Sequence, residues 1–160
     1  MDFLYDLVTN YVLISACVGW FTAQILKFFT GIFRIKKFSV VELLFGTGGM
    51  PSSHTASVYA LACACIIKHG FGSTEFAVSV VLAMIVMRDA MGMRRQVGEH
   101  AKALNLIIKD LAEANNDPNL TNKALAELVG HTPLQVFAGA IVGILVAVGL
   151  MFVPAFGIFA

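Results

Sequence analysis

The stretch that decides the fold is Leu134–Phe159, LQVFAGAIVGILVAVGLMFVPAFGIF, in which no residue is charged. A helix needs about 20 consecutive apolar residues to cross the hydrocarbon core of a bilayer. Three further apolar runs lie earlier in the chain, over residues 8–33, 52–68 and 74–90, and the last crossing is expected over 134–157. Runs of this length and purity predict membrane helices. The sequence therefore predicts an all-α integral membrane protein with about four transmembrane helices.

The composition agrees with this class. Of the 160 residues, 58% are hydrophobic and 13% are charged, whereas soluble domains have roughly 45–50% apolar and about 25% charged residues. This composition excludes an ordinary soluble domain and a disordered chain. The net charge of +1 gives no basic field, so no nucleic-acid partner is expected. The length suits a single membrane domain over residues 1–160.

Two segments outside the apolar runs have their own signatures. Apolar residues recur at helical spacing over residues 94–115, which predicts an amphipathic helix on the cytoplasmic side. A short second helix is expected over about 122–129. Residues 40–45 are apolar but too few to cross, and they predict a short re-entrant or interfacial segment. Gly139 and Gly143 have the small-xxx-small spacing that is typical of close helix packing in membranes.

The basic residues predict the orientation, because cytoplasmic loops of membrane proteins are enriched in lysine and arginine. If the N-terminus is outside, ten of the eleven basic residues lie on the cytoplasmic side, and only Lys68 lies on the other. We therefore expect a multi-pass protein of the cell membrane with both ends outside. In this topology three unusual segments reach the cytoplasmic face together, and Lys27 approaches the same face. The segments are Gly48–Thr55, Arg88–His100 and Gly130–Pro133.

The first segment predicts an anion site. Glycines allow a ligand to approach the backbone closely, and Ser52 or Ser53 can cap the helix that follows. A helix N-terminus favours phosphate, and His54 in the first turn can hold or transfer a proton near neutral pH. The alternative is a capped membrane helix whose histidine is merely interfacial, and the spacing alone favours neither.

The second segment gathers Arg88, Arg94 and Arg95, whose guanidinium groups match phosphate oxygens. The positive-inside bias alone also explains arginines after a membrane helix. Asp89 ends an apolar run, where a carboxylate is costly and usually paired or functional. Pairing with a nearby arginine is favoured over metal binding.

These motifs resemble a known family. Gly-Gly-Met-Pro-Ser-Ser-His at 48–54, Asp-Ala-x-Gly-x-Arg-Arg-Gln-x-Gly-Glu at 89–99 and Gly-His-x-Pro at 130–133 are similar to the divergent type-2 phosphatidic acid phosphatases, also described as acid phosphatase/vanadium-dependent haloperoxidase related. The resemblance covers nearly the whole chain. Its larger superfamily carries the motifs Lys-x6-Arg-Pro, Pro-Ser-Gly-His and Ser-Arg-x5-His-x3-Asp.

The resemblance implies roles for individual residues. Lys27 and Arg34 have the first spacing without its proline, and residues 51–54 match the second motif with serine for glycine. By resemblance His100 is the nucleophile that attacks phosphorus and His54 is the acid, although the roles can be reversed. The third motif departs most, because Met93 replaces its serine and Leu104 its aspartate. The orienting group for His100 would then be Asp89, Glu99 or Asn105.

Two functions follow as hypotheses. The first is a phosphatase that hydrolyses a lipid phosphate through a histidine nucleophile, without a metal or other cofactor and with the vanadate sensitivity that the resemblance implies. Catalysis is assigned to His54, His100 and Asp89. Phosphate binding is assigned to Lys27, Ser52, Ser53, Arg88, Arg94 and Arg95. The second is a protein that binds or transports an anionic lipid in the same basic pocket without turnover. In both hypotheses the partner is a phosphorylated membrane lipid, and a homo-oligomer is compatible with either.

Overall fold

The computed structural model describes residues 2–32, 49–117, 125 and 131–156. Its regular secondary structure in these ranges is entirely helical, so the all-α expectation is correct. The helices are α1 (Asp2–Val8), α2 (Tyr11–Ile32), α3 (Ser53–His69), α4 (Thr74–Arg88), a π-helix (Asp89–Met93), α5 (Arg94–Asn115), α6 (Pro133–Leu150) and a 3₁₀ turn (Pro154–Phe156). The expected segment at 40–45, the short helix at 122–129 apart from Leu125, and Arg34 lie outside the described residues.

Three stretches are long and apolar enough to cross a membrane: Tyr11–Thr30, Pro133–Leu150, and part of the continuous helix Thr74–Asn115. The expected fourth crossing rests on α3, which has 17 residues, fewer than the roughly 20 that span a bilayer core. α3 packs against α2, α4 and α6, so it is the central helix of the bundle. Among the described residues three crossings are thus supported by length and composition.

Local chemistry explains where two helices differ from the expected bounds. The first apolar run breaks at Asn10, whose side-chain oxygen accepts a hydrogen bond from the Leu13 N–H at 3.2 Å, so α2 begins at Tyr11 rather than near residue 8. The last run ends at Leu150 rather than near 157. Pro154 explains this end, because its ring would collide with the carbonyl group of residue 150 in a continued helix.

Small residues make the contacts at the centre of the bundle. A Cβ at Gly19 of α2 would lie 2.9 Å from the Cβ of Ala60, and one at Gly143 of α6 would collide with the Ala56 carbonyl oxygen. The small-xxx-small spacing of Gly139 and Gly143 therefore does mark close helix packing. Large apolar side chains face outward instead. Exposed examples are Phe21, Phe29, Val78, Ile85, Phe137 and Leu145.

The bundle is closed at the end where α2 begins. The buried Tyr11 hydroxyl donates a hydrogen bond to the Ala147 carbonyl oxygen at 2.7 Å, and its ring lies 5.7 Å from that of Phe156. Tyr11 also packs with Ala60 and Ala64 in the buried apolar cluster. The two contacts place the start of α2 beside the end of α6, so these helices run antiparallel.

Candidate functional site

Four helix termini meet at the opposite end of the bundle. The Ser52 N–H donates to the Gln135 carbonyl oxygen at 3.1 Å, and the His131 N–H donates to the Ala90 carbonyl oxygen at 3.1 Å. These bonds join the start of α3 to the start of α6, and the start of α6 to the end of α4. The C-terminal part of α2 reaches the same place through Lys27. We refer to this region as the junction end, formed by residues 27–30, 49–54, 88–90 and 131–135.

Lys27 is the buried cation of the junction end. Its side chain is only 8% exposed, although it lies in an otherwise apolar helix. Its Cγ atom would be 2.9 Å from a Cβ at Gly49, which has a φ of 95°. A residue with a side chain would be strained at Gly49 and would push against the lysine. Burial of an ammonium group is costly unless polar or charged groups compensate it. Lys27 therefore places a positive charge inside the junction end, next to the start of α3.

Thr30 fixes the turn that carries Gly49. Its hydroxyl donates a hydrogen bond to the Met50 carbonyl oxygen at 2.5 Å and lies 3.1 Å from the Lys27 carbonyl oxygen. The turn before α3 is thereby attached to the end of α2. This attachment holds Gly49 against the lysine stem.

Ser52 is the N-cap of α3. Its hydroxyl oxygen accepts from the Thr55 N–H at 3.4 Å and from the Thr55 hydroxyl at 3.0 Å, and this leaves the Ser52 O–H proton as its donor group. Ser52, Ser53 and Thr55 are buried, whereas His54 is exposed. Of the two serines expected as caps, Ser52 takes that role. The positive end of the α3 dipole and the His54 imidazole thus lie at the junction end.

The basic segment after α4 is only partly at this end. Arg88 is the last residue of α4 and is exposed, and the half-buried Asp89 begins the π-helix. π-helical turns are rare in proteins, and those that occur are often at functional sites. Here the Ala90 carbonyl oxygen accepts a hydrogen bond from the His131 N–H. Arg94 and Arg95 begin α5, and their side chains lie outside the described part of the structure. No group of three or more metal-binding side chains occurs among the described residues.

His100 is placed differently from His54. It lies on α5 and is exposed, as is Leu104. Within the described residues, the His100 side chain makes no hydrogen bond or ion pair. Two of the three groups expected to orient it bind elsewhere: Glu99 lies 3.5 Å from the Lys102 ammonium, and Asn105 binds the backbone of Leu125 through both amide atoms, at 2.7 and 3.0 Å.

The sequence reasoning missed Gln135, which organises the start of α6. Its side-chain oxygen accepts from the Thr132 N–H at 2.9 Å and lies 3.2 Å from the Nδ1 atom of the buried His131. The Thr132 hydroxyl accepts from the Gln135 N–H at 3.4 Å in return. This reciprocal pair is a capping box, and its Thr-x-x-Gln pattern before an apolar run is readable from sequence. His131 thus links the start of α6 to the π-helix through its backbone and lies beside the capping box through its side chain.

The fold and the junction end define a helical membrane protein with one buried lysine beside the start of its central helix. The family model described as Divergent PAP2 family matches residues 8–146. The chain is also similar to the uncharacterized membrane protein YuiD of Bacillus subtilis (strain 168), with 38% identity over 155 residues, covering 92% of this chain and 98% of that protein. No solved structure matches significantly. The chain belongs to the Divergent PAP2 family.

Proposed function

We propose that the protein binds the phosphorylated head group of a membrane lipid at the junction end and hydrolyses its phosphate ester. The buried position of Lys27 against Gly49 is the observation that carries the proposal. The start of α3 adds a positive dipole end and the buried Ser52 hydroxyl, and Arg88 adds an exposed charge. Together these groups supply the donors that a phosphate monoester requires.

The reaction uses two imidazoles. A histidine nitrogen attacks phosphorus and forms a P–N bond, while the bond between phosphorus and the lipid oxygen breaks. The departing oxygen takes a proton from the second histidine, and water then hydrolyses the phosphohistidine to release phosphate. The family resemblance assigns the attack to His100 and the proton to His54. His54 lies in the first turn of α3 beside Ser52 and Ser53, so in this proposal it donates its proton next to the bound head group.

A second function is favoured by a specific observation on α5. A nucleophilic imidazole needs its other nitrogen held by an acceptor, yet Leu104 stands at the aspartate position and Asn105 binds Leu125 instead. The same basic pocket without an oriented His100 would hold an anionic lipid without turnover. Transport of the lipid through the bundle is the weaker variant of this function. Tyr11 closes the other end, and the glycine contacts leave no room between α3 and α6.

The junction end is proposed to face the cytoplasm from the cell membrane. Lys27 and Arg88 are at this end, whereas Lys68 is in the last turn of α3 at the other, which agrees with the positive-inside rule. Reporter fusions after residues 72 and 117 test the orientation. A cytoplasmic signal is expected from the fusion after 117, and an external one from the fusion after 72. The reverse pair of signals would place the pocket on the outer face.

Phosphate release separates hydrolysis from binding. The protein is purified in detergent and given phosphatidic acid, phosphatidylglycerophosphate and polyprenyl phosphates and pyrophosphates. His54→Ala, His100→Ala and Lys27→Met are compared with His69→Ala and Lys68→Met, which change the same residue types at the other end of α3. Hydrolysis predicts loss of release in the first three variants and normal release in both controls.

The same preparations also report binding of the lipid phosphate, for example by its effect on thermal unfolding. If no substrate is turned over but the wild type and His100→Ala bind equally well and Lys27→Met does not, the protein is a lipid-binding protein. Phosphate release that persists in Lys27→Met would show that hydrolysis does not take place at the junction end. Release that chelators abolish would point instead to a metal site that includes Asp89.

A further inference from the structure

Helix α5 exposes a stripe of large apolar side chains. Val97, Leu104, Ile107 and Leu111 are 50%, 46%, 53% and 51% exposed, and their spacing places them on one side of the helix. The opposite side is mainly charged and carries the exposed Glu99, Lys102 and Glu113, with the exposed Leu106 between them. Contiguous exposed apolar residues beside polar ones mark a surface that another phase or partner covers.

The length of the preceding helix indicates what that phase is. α4 and the π-helix together run from Thr74 to Met93, and at about 1.5 Å per residue they span roughly 30 Å. This is the thickness of the hydrocarbon core, so a span that begins at Thr74 ends where α5 begins. The 22 residues of α5 therefore start at the membrane surface.

The π-helix also aligns the two exposed apolar faces. An α-helix turns by about 100° per residue, whereas the wider π turn advances each residue by roughly 80°. Over the five residues Asp89–Met93 the difference accumulates to roughly a quarter turn. This rotation carries the stripe on α5 to the side on which α4 exposes Val78, Val81 and Ile85 to lipid. The stripe is thus continuous with the lipid-facing surface of the span.

We infer that the helix bends at the π-helix, a common site of kinks, so that α5 lies along the membrane surface with Val97, Leu104, Ile107 and Leu111 in the boundary between head groups and acyl chains. A helix with one apolar and one charged side binds there through its buried apolar area. Lys102 and Lys109 on the other side meet the negative surface potential of anionic lipids. The partner of this surface is the bilayer itself, and the inference is independent of any reaction at the junction end.

Tryptophan scanning in vesicles tests this placement. Trp20 is the single tryptophan, so Trp20→Phe provides a silent background for Val97→Trp, Leu104→Trp and Leu111→Trp. Leu106→Trp is the matched control, because Leu106 is exposed on the side of the same helix that carries Glu99, Lys102 and Glu113. The vesicles contain phosphatidylcholine, phosphatidylglycerol and lipids brominated near the head group. Quenching at positions 97, 104 and 111 is expected to be similar, and roughly threefold stronger than at 106.

Each other outcome overturns the inference. Equal quenching at 106 and 104 would mean that α5 has no preferred side toward the lipid. Quenching that falls from 97 to 111 would mean that α5 projects away from the membrane. A second copy that covers the stripe would protect the tryptophan at position 104 from quenching and allow crosslinking between the two 104 positions. If both effects disappear when the protein is diluted in the vesicles, the partner is a second copy. Thermal unfolding of each variant confirms that the compared proteins are folded.

Discussion

The backbone of Ser52 is bound to the backbone of Gln135, with the Ser52 N–H donating to the Gln135 carbonyl oxygen at 3.1 Å. One residue caps α3, and the other completes the capping box of α6. Two parallel helix starts are thereby held as one unit. We therefore expect a change at the start of α6 to affect the N-terminus of α3, where a phosphate is proposed to bind.

Gln135→Leu should therefore weaken both stability and ligand binding. The substitution removes the acceptor of the Thr132 N–H, and loss of a helix cap costs roughly 0.5–2 kcal/mol. Gln135→Glu is the control, because glutamate also forms the capping box. The measurements are thermal unfolding in detergent and binding of a lipid phosphate. A Gln135→Leu protein as stable as wild type would show that the side-chain bond contributes little.

Gly143→Ala should destabilise the bundle by roughly 1–3 kcal/mol, because the new methyl group overpacks the contact with Ala56. Gly149→Ala is a matched control in the same helix, since nothing lies within 4 Å of a Cβ there. That variant should be neutral or slightly more stable, as alanine is the better helix former. Thermal unfolding of the two proteins in the same detergent decides between them. Equal melting temperatures would contradict the close approach of α3 and α6.

Gly49→Ala should impair the lysine site without removing its charge. The methyl group would meet the Lys27 Cγ at 2.9 Å and would be strained at a φ of 95°, so the ammonium group must move. We expect weaker binding of lipid phosphate, in the same direction as Lys27→Met but smaller. Gly72→Ala is the control, because a Cβ there has open space around it. Unchanged affinity in Gly49→Ala would exclude the lysine stem as the positioning element.

Tyr11→Phe should lower stability by about 1 kcal/mol, the net contribution of a typical buried hydrogen bond. It leaves the Ala147 carbonyl oxygen without this donor. Binding at the junction end should be unaffected, because Tyr11 lies at the other end of the bundle. Tyr5→Phe on the exposed part of α1 is the control for the loss of a hydroxyl. A binding defect in Tyr11→Phe would mean that the two ends are coupled.

The sequence was sufficient to predict the membrane fold, because apolar run length reports directly on the solvent of a helix. Pro133–Leu150 and Tyr11–Thr30 are examples of spans that can be predicted without tertiary information. α3 was harder to judge. Its serines, threonine and alanines are small residues that pack at the centre of a bundle, so length and hydropathy understate its place in the fold.

Much of the junction end was less accessible to sequence reasoning. Motif spacing selected Lys27 and His54, but the contact between Lys27 and Gly49 spans 22 positions and depends on how α2 packs. The partner of Asn105 was equally difficult to predict, because a side-chain amide can bind many groups. In the structure it binds the backbone of Leu125. Gln135 is the opposite case, since its capping pattern is local and was available in the sequence.

The bond between Tyr11 and Ala147 has a consequence for kinetics. A lipid phosphate that binds at the junction end must enter and leave there, because Tyr11 and Ala147 close the other end of the bundle. The lipid substrate and the dephosphorylated lipid of the proposed reaction would both exchange with the same leaflet of the membrane. The dephosphorylated lipid and inorganic phosphate should then act as competitive inhibitors. Lipids of the opposite leaflet would bind only after another protein had moved them across the membrane.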